Sequence, residues 1–281
     1  MFKILKHQKL GPKMQFMELD APLVSRKAEP GQFIVLRVNE TGERIPLTIA
    51  DFNRKKGTVT IVFQEMGKTT HLLATKNAGD SISDVLGPLG NPSEIEHFGN
   101  VICIGGGIGV APVYPLARKL KQKGNKVTSI IGYRSKNYVF WEDKMKNASN
   151  KVLITTNDGT YGEKGFVTDV LKKLMDGREL IDRIFAIGPA IMMKAVSDLT
   201  REKEIKTIVS LNSLMVCGMG MCGACRVIVG GETKFTCADG PDFDAHLVDF
   251  NILMKRLDTY KEEEKISFEK WKAEVDYYEE S

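Results

Sequence analysis

The stretch from residue 100 to residue 124, NVICIGGGIGVAPVYPLARKLKQKG, decides how the middle of this chain folds. It opens with an apolar run typical of a fully buried strand, and the run ends in Gly105–Gly107. A helical pattern then starts near Ala111 and Pro112, where proline suits the first helical turn. A strand, a loop without side chains and a helix N-terminus together make an anion site suited to a pyrophosphate. Val110 stands where a strict G-x-G-x-x-G motif has its third glycine, so this stretch alone leaves open both a nucleotide loop and an ordinary tight turn.

Three later segments follow the same plan. The segments are KVTSIIGYRS (126–135), KVLITTNDG (151–159) and RIFAIGPAIMMKAV (183–196), and each begins as a strand and runs into a polar or glycine-containing turn. Strands of this kind that alternate with helices predict a parallel α/β sheet. Ligands of such sheets bind at the carboxyl ends of the strands.

The first hundred residues have a different pattern. Short β-rich runs separated by turns are typical of a small antiparallel barrel, and here they are QFIVLRV, RIPLTIAD, GTVTIVFQ and DSISDVLGPLG. The predicted fold class is therefore α/β plus all-β. We expect an antiparallel β-barrel over 1–98, a nucleotide-binding α/β domain over 99–208, a small cysteine-containing domain over 209–250 and a helical tail over 251–281.

Four of the five cysteines lie between residues 214 and 240. Their spacing, Cys217-x4-Cys222-x2-Cys225-x11-Cys237, begins with the arrangement that holds a plant-type [2Fe–2S] cluster. The run RVIVGGETKFTC predicts a hairpin that turns at two glycines and returns Cys237 to the loop. Zinc sites more often show two C-x2-C pairs, and disulfides in so short a loop suit secreted proteins, so we favour the iron–sulfur cluster over both. Cys103 lies in a predicted buried strand and is interpreted as a core residue.

Composition and charge exclude several classes of function. The chain has 281 residues and a net charge of +4 spread through mixed Lys/Glu segments, which argues against nucleic acid as the main partner. The first residues, MFKILKHQKLGPK, lack the apolar run of a signal peptide. The longest apolar stretch is broken by glycine and proline and is shorter than the ~20 residues of a membrane span. We therefore expect a cytoplasmic protein with no membrane partner.

The order of barrel, α/β domain and cysteine domain resembles the ferredoxin reductase superfamily. The motifs that carry the resemblance are RIPLTIAD, EMGKTT, GGGIGVAP, GTYGEKGFVTDVL, AIGPAIMMK and GMGMCGACRV, followed by CADGPDFDAHLVDF. Within the superfamily the chain is similar to the electron-transfer subunits of heteromeric dihydroorotate dehydrogenases. It is also similar to the small subunits of NADH-dependent reduced ferredoxin:NADP oxidoreductases, also described as sulfide dehydrogenases. The resemblance covers roughly residues 1 to 250.

This resemblance implies three cofactors, namely FAD, a [2Fe–2S] cluster and NAD(H) or NADP(H). The implied flavin residues are Arg44, Pro46, Leu47, Thr48, Gly67, Lys68, Thr69 and Thr70, with Arg44 on the pyrophosphate and Thr48 near the reactive flavin N5 as the catalytic position. The implied nucleotide residues are Gly105, Gly106, Gly107, Gly109, Pro112, Asn157, Asp158, Gly159, Gly188 and Pro189. The implied cluster ligands are Cys217, Cys222, Cys225 and Cys237.

Two positions depart from these relatives, and the choice of nucleotide is open. Ile187 stands where many ferredoxin reductases have a cysteine beside the nicotinamide. Cys217 stands where ferredoxin:NADP oxidoreductase small subunits often have an aspartate, so an all-thiolate cluster favours the dihydroorotate dehydrogenase type. Arg134, which we count among the nucleotide residues, and Ser135 after the second strand point to NADP. Glu142 and Asp143 follow, and the relatives use NADH, so we favour NAD.

The function that follows is an enzyme subunit. Hydride is exchanged between NAD(H) and FAD, and single electrons pass through the cluster to a larger flavin and iron–sulfur subunit. Ferredoxin is a further partner, which acts through that subunit. Some enzymes of this type bifurcate electrons. The alternatives are an electron-transfer subunit of dihydroorotate dehydrogenase and a non-catalytic redox-sensing module. Helical spacing of Leu253, Leu257 and Tyr260, and then of Phe268, Trp271 and Val275, indicates either a partner-binding helix or a tail packed on its own domain.

Overall fold

The computed structural model describes residues 1–177 and 180–280 of the chain. Two large sheets and a small hairpin unit account for the strands within these residues. The antiparallel barrel, the parallel α/β sheet and the C-terminal cysteine unit follow one another in the predicted order, which confirms the predicted fold class. No helix within the described residues is long and apolar enough to cross a membrane.

Seven antiparallel strands form the first sheet, in the order β6-β1-β2-β5-β4-β3-β7. They are β1 (Phe2–Gly11), β2 (Met14–Asp20), β3 (Phe33–Arg37), β4 (Arg44–Asn53), β5 (Thr58–Gln64), β6 (Ser81–Ile82) and β7 (Asp84–Leu89), with helices α1 (Pro22–Lys27) and α2 (Lys68–Ala74) in the connections. Because β6 and β7 lie at opposite edges yet are separated by one residue, the sheet must curl until its edges nearly meet. Apolar side chains fill the interior of this nearly closed barrel, among them Ile34, Ile61 and Phe63.

The second sheet is parallel except at one edge, and its order is β11-β10-β9-β8-β12-β13-β16. Its strands are β8 (Asn100–Gly106), β9 (Lys126–Tyr133), β10 (Lys151–Thr156), β11 (Glu163–Lys164), β12 (Arg183–Ile187) and β13 (Thr207–Ser210), with β16 (Asp242–Asp244) antiparallel to β13. Helices α3 (Val110–Gln122), α4 (Glu142–Ala148), α5 (Val167–Met175) and α6 (Ala190–Arg201) connect them. The order of the strands reverses between β8 and β12, and α/β sheets bind ligands at such a switch point.

The C-terminal unit begins with a loop that contains Cys217, Cys222 and Cys225, which we call the cysteine loop. It continues through a hairpin. Strands β14 (Arg226–Val229) and β15 (Glu232–Phe235) pair around the two predicted glycines, and the short helix α7 (Thr236–Asp239) follows. The chain then enters β16, so the end of the cysteine unit completes the nucleotide sheet. The sequence pattern did not indicate this strand exchange.

Two helices, α8 (Phe250–Leu257) and α9 (Lys261–Glu280), end the chain. Phe250 and Leu253 of α8 are buried in the core of the nucleotide domain. Helix α9 lies against α2 of the barrel, where the ring centroids of His71 and Phe268 are 4.4 Å apart and Trp271 stacks on Phe268. The tail therefore packs on its own chain, as one of the two interpretations predicted. Val275 lies outside the residues whose side chains are described.

The barrel and the nucleotide domain are joined by a partly buried charge cluster. Arg118 of α3 donates a hydrogen bond of 2.8 Å to Asp51 of β4, and its guanidinium lies 4.8 Å from the ring centroid of Tyr114. Lys144 of α4 lies 3.9 Å both from the same carboxylate and from the ring centroid of Trp141. The carboxylate of Asp51 thus receives two cations from the neighbouring domain.

We predict that Asp51→Asn lowers the free energy of unfolding by about 1–2 kcal/mol, because it leaves two half-buried cations without their counter-charge. The matched control is Glu163→Gln, which removes a 2.5 Å ion pair with Lys173 that is largely exposed, and surface pairs of this kind contribute about 0–1 kcal/mol. Urea unfolding of both variants measures the difference. Equal destabilisation by the two substitutions would contradict the proposed role of Asp51.

Candidate active site and cysteine centre

A cleft of about 460 Å³ lies where the three parts of the molecule meet. The barrel contributes residues of β3, β4 and β5, and the nucleotide domain contributes the loops that follow β8 and β12. The segment that leads into the cysteine loop, including Leu211 and Met215, forms the remaining wall. The cleft therefore opens at the switch point of the parallel sheet, as the strand order requires.

The glycine loop after β8 is shaped by close backbone packing. A Cβ atom on Gly109 would lie 2.2 Å from the carbonyl oxygen of Ile187, so the loop can reach the end of β12 only without a side chain. Gly107 has a φ of +55°, and a Cβ atom there would meet no protein atom within 4 Å. The loop thus presents bare backbone to open space, with the N-terminus of α3 directly after it, as a pyrophosphate cradle requires.

The barrel wall of the cleft carries the predicted flavin segment. Pro46, Leu47 and Thr48 line the cleft from β4, and Thr70 lines it from α2. The hydroxyl of Thr70 accepts hydrogen bonds from the backbone N–H groups of Met66 (2.9 Å) and Gly67 (3.1 Å). This bonding fixes the turn before α2, and the amides of the first helical turn have no partner within the helix.

The structure brings some of the predicted cofactor residues to the cleft and leaves others outside its lining. Those that line the cleft are Pro46, Leu47, Thr48, Thr70, Gly106, Gly107, Gly109, Pro112, Gly188 and Pro189. Those that do not are Arg44, Gly67, Lys68, Thr69, Gly105, Arg134, Asn157, Asp158 and Gly159. In this second set Arg44 lies at the start of β4 and Gly105 lies within β8. The others lie at the start of α2 and in the loops after β9 and β10.

The loops after β9 and β10 form a polar extension beside the cleft. Arg134 is exposed directly after β9. The carboxylate of Asp158 accepts hydrogen bonds from the backbone N–H (3.0 Å) and the hydroxyl (2.7 Å) of Thr160, and these bonds lower its pKa. Tyr161 donates a hydrogen bond of 2.7 Å to Glu142. Both signs of charge are present here, which fits the open choice of nucleotide.

The four clustered cysteines form two pairs. The sulfur atoms of Cys225 and Cys237 lie 3.2 Å apart and are buried, and we call these two residues the inner pair. Cys217 is partly exposed and Cys222 is exposed, and we call these two more accessible residues the outer pair. All five cysteines carry free thiols. Cys103 is fully buried in β8, which confirms its interpretation as a core residue.

The loop backbone is arranged around the sulfur atoms. Amide N–H groups point at three of them, from Met219 to Cys217 (3.4 Å), from Gly220 to Cys237 (3.0 Å) and from Ala224 to Cys222 (3.5 Å). Gly218, Gly220 and Gly223 make this possible because their φ angles are +71°, +78° and +69°, a region that side chains disfavour. N–H donors of this kind stabilise negative charge on sulfur and tune the potential of a cluster.

The way in which the four clustered cysteines are grouped bears on the type of metal centre that they could hold. Within residues 1–177 and 180–280, no three His, Cys, Asp or Glu side chains converge well enough to ligate one metal ion. A structural zinc ion needs four such ligands, whereas each iron of a [2Fe–2S] cluster takes two cysteines. The grouping of the four cysteines into a buried and an accessible pair fits the ligand set of a binuclear iron–sulfur cluster.

The thiols of the two pairs differ in their electrostatic environment. Hydrogen bonds from backbone N–H groups, above all that of Met219, lower the pKa of Cys217 to about 6. Burial raises the pKa of Cys237 to about 12. The outer pair is thus accessible to solvent, whereas the inner pair is buried among apolar side chains and receives one amide hydrogen bond, from Gly220 to Cys237.

Several residues of the site were missed from the sequence. Phe33, Ser210, Leu211, Asn212 and Met215 line the cleft without belonging to a motif, and Met66 and Pro241 line it from within two motifs without having been named as site residues. For Met215 a signal existed, since it lies two residues before Cys217. Nothing in the sequence indicates that Phe33 of β3 faces the cleft while packing with Cys225 and Cys237.

The chain is similar to known proteins over nearly its whole length. A model described as the iron-sulfur cluster binding domain of dihydroorotate dehydrogenase B matches residues 212–249. A model described as an oxidoreductase NAD-binding domain matches residues 103–198. The chain is 49% identical over 269 residues to a Thermotoga maritima homolog of the dihydroorotate dehydrogenase B (NAD(+)) electron transfer subunit, and the match covers 96% of this chain and 95% of that protein. It is 38% identical over 239 residues to the electron transfer subunit itself from Bacillus caldolyticus, covering 82% of this chain and 90% of that protein.

Two solved structures extend these similarities. A structure of NADH-dependent reduced ferredoxin-NADP oxidoreductase superimposes with a TM-score of 0.91 at 47% identity, covering 96% of this chain and 97% of that chain. Phthalate dioxygenase reductase superimposes with a TM-score of 0.59 at 16% identity, covering 84% of this chain and 92% of that chain, and it shares the fold.

We predict that iodoacetamide labels Cys217 and Cys237 with different pH dependence in protein prepared without iron. The thiolate is the reacting form. Cys217 should therefore react above pH 6 and lose reactivity as the pH falls through about 6, whereas Cys237, with a pKa of about 12, stays protonated and inert at neutral pH. Cys103, whose pKa burial raises to about 12, is the inert control. Mass spectrometry locates the label, and parallel labelling of Cys217 and Cys237 would contradict the assignment.

Proposed function

The chain belongs to the family of dihydroorotate dehydrogenase B electron transfer subunits and their homologues, and on that premise we propose that it is an NAD(P)H-dependent flavin and iron–sulfur oxidoreductase subunit. It exchanges hydride between NAD(H) and FAD and passes single electrons through a [2Fe–2S] cluster to a larger flavin and iron–sulfur subunit. The observation that carries this proposal is the cleft at which the barrel, the glycine loop and the segment before the cysteine loop meet. A hydride acceptor and a one-electron carrier must lie close together, and here the cleft adjoins the buried cysteine pair through the shared residues Phe33 and Met215.

The two bound cofactors supply the conversion between a two-electron hydride and single electrons, which side chains cannot perform. The residues of the chain bind the two cofactors, orient them and shield them from solvent. Gly107 and Gly109 present backbone to the nucleotide, and Gly188 and Pro189 close the same site from β12. Thr48 offers a hydroxyl on the opposite wall, at the position assigned to the flavin N5, and is the residue we propose as catalytic.

The remaining residue assignments are part of the same proposal. We assign Arg44, Gly67, Lys68 and Thr69 to the flavin phosphates, which would extend from the cleft along the start of α2. We assign Gly105 to the glycine loop with Gly106 and Gly107, and we assign Arg134, Asn157, Asp158 and Gly159 to the far half of the nucleotide, beside the loops after β9 and β10. NAD(H) is the preferred nucleotide, in keeping with the relatives named for NAD(+).

The partner follows from the family and from the exposed cluster loop. The relatives are electron transfer subunits, which act with another subunit, so we propose a hetero-oligomer with a larger flavin and iron–sulfur subunit. The exposed side chains of Val216, Met219 and Met221 are 56%, 52% and 81% accessible around the outer cysteine pair. Ferredoxin would act through that larger subunit. We also propose a cytoplasmic location, since the spacing of the clustered cysteines suits a metal centre and not the disulfide framework of a secreted protein.

The domain division is likewise proposed, with a flavin barrel over 1–98, a nucleotide domain over 99–208, a cluster domain over 209–250 and a helical tail over 251–281. Strand β16 belongs to the cluster domain by sequence and to the nucleotide sheet by hydrogen bonding. The two units should therefore unfold together.

A second candidate function is that of the electron transfer subunit of a dihydroorotate dehydrogenase. The observation that favours it is the set of four thiols, without a carboxylate at position 217. Affinity purification of the tagged native protein distinguishes the candidates. A dihydroorotate-oxidising partner would support the second candidate, and a larger partner with both flavin and iron–sulfur clusters would support the first.

We predict that anaerobic titration of the cofactor-loaded protein with NADH bleaches the flavin and produces a rhombic [2Fe–2S] EPR signal at low temperature. NADPH, titrated separately, should be less effective. Flavin absorbance and the EPR signal report the two cofactors independently. The absence of rapid bleaching with either nucleotide would contradict the enzyme and favour a redox-sensing module.

We further predict that Cys237→Ala abolishes the cluster signal, because it removes half of the inner pair, while bleaching of the flavin by NADH persists. Cys103→Ala is the matched control, since Cys103 is equally buried but lies in β8, away from the cysteine loop. It should retain both signals. Retention of a normal cluster in Cys237→Ala would show that the ligands are assigned wrongly.

A further inference from the structure

One layer of side chains separates the cleft from the inner cysteine pair. Phe33 and Met215 line the cleft, and the same two residues pack in a buried apolar cluster with Val35, Cys225 and Cys237. Phe33 is 3% exposed and Met215 is 8% exposed, so little solvent reaches this layer. We call Phe33 and Met215 the septum.

The septum is held tightly from both sides. A Cβ atom on Gly90 of the barrel would lie 2.8 Å from the Phe33 ring, and one on Gly218 of the cysteine loop would lie 2.7 Å from Val35 and 3.6 Å from the Phe33 ring. The cysteine loop thus touches strand β3 with bare backbone. The Phe33 ring is thus closely packed against backbone of the barrel and of the cysteine loop.

From this packing we infer that the septum is the route by which electrons leave the cleft for the cluster, and that Met215 controls the rate of this step by keeping the gap filled. The inference rests on the proposed function, and it adds two positioning residues that belong to no cofactor motif. Each NADH delivers one hydride to the flavin. One electron then crosses the septum and reduces one ferric iron to ferrous, the second follows once the partner subunit has taken the first, and the remaining proton passes to solvent.

The physical argument is one of contact. Electrons cross a protein most readily where atoms touch without a void, and a void removes the contacts on its lining. Methionine fills irregular gaps and has a polarisable sulfur atom. Met215→Ala would leave a cavity between the two cofactor sites, whereas Met215→Leu nearly conserves the volume.

The test follows both cofactors in time after rapid anaerobic mixing of the cofactor-loaded protein with NADH. For Met215→Ala we expect flavin bleaching at the wild-type rate and cluster reduction, followed by freeze-quench EPR, slowed about tenfold, which corresponds to a barrier higher by about 1.4 kcal/mol. Flavin content, iron content and the EPR signal after dithionite should be unchanged. Met215→Leu should retain both rates.

Met175→Ala is the matched control, because Met175 is also 8% exposed and packs in an apolar core, but it lies in α5 and lines neither the cleft nor the cysteine cluster. Cluster reduction at the wild-type rate in Met215→Ala, or equal slowing in Met175→Ala, would overturn the inference. If Met215→Ala loses its cluster during assembly, Phe33→Leu tests the same layer with the same readouts and the same expected slowing. Failure of NADH to bleach the flavin of the wild-type protein would instead contradict the proposed function. The flavin absorbance shows this independently of the EPR signal of the cluster.

Discussion

The packing of the cysteine loop on barrel strand β3 is the contact on which the rest of the site depends. Gly218 lies so close to Val35 that no side chain fits between them, and the inner cysteine pair is buried against the same strand. A second set of contacts joins the end of the cysteine unit to the segment that follows β7. Gly240 accepts a hydrogen bond of 2.7 Å from the backbone of Asn91, and Asp242 accepts one of 2.6 Å from Ser93. The cysteine unit is thereby fixed to the barrel at both ends of its loop.

These contacts place the two cysteine pairs on opposite sides of the cysteine centre. The inner pair faces the cleft through apolar side chains, and the outer pair faces solvent beside exposed methionines. Backbone N–H groups favour the thiolate of Cys217, whereas burial disfavours that of Cys237. A centre placed between the pairs therefore has an apolar side toward the nucleotide and a solvated side toward a partner, which suits a carrier that receives electrons on one side and releases them on the other.

The parts that the sequence predicted are those fixed by local chemistry. The strand ending in Gly105–Gly107, the two-glycine hairpin and the cysteine spacing each follow from the short-range needs of the backbone, and each is present in the structure. Long-range packing was not predictable from such patterns. Strand β16 is three residues long and pairs with β13, and Phe33 reaches the cysteines only because the barrel places β3 beside their loop.

The measurement that tests the central claim most directly is anomalous diffraction at the iron edge, from crystals of the cofactor-loaded protein that diffract to a resolution at which two sulfide-bridged iron atoms are separated. The account predicts two iron peaks, one held by Cys217 and Cys222 and one by Cys225 and Cys237. The flavin ring should lie in the cleft on the other side of Phe33 and Met215. A single metal peak shared by all four cysteines, or a flavin ring bound away from this cleft, would contradict the account.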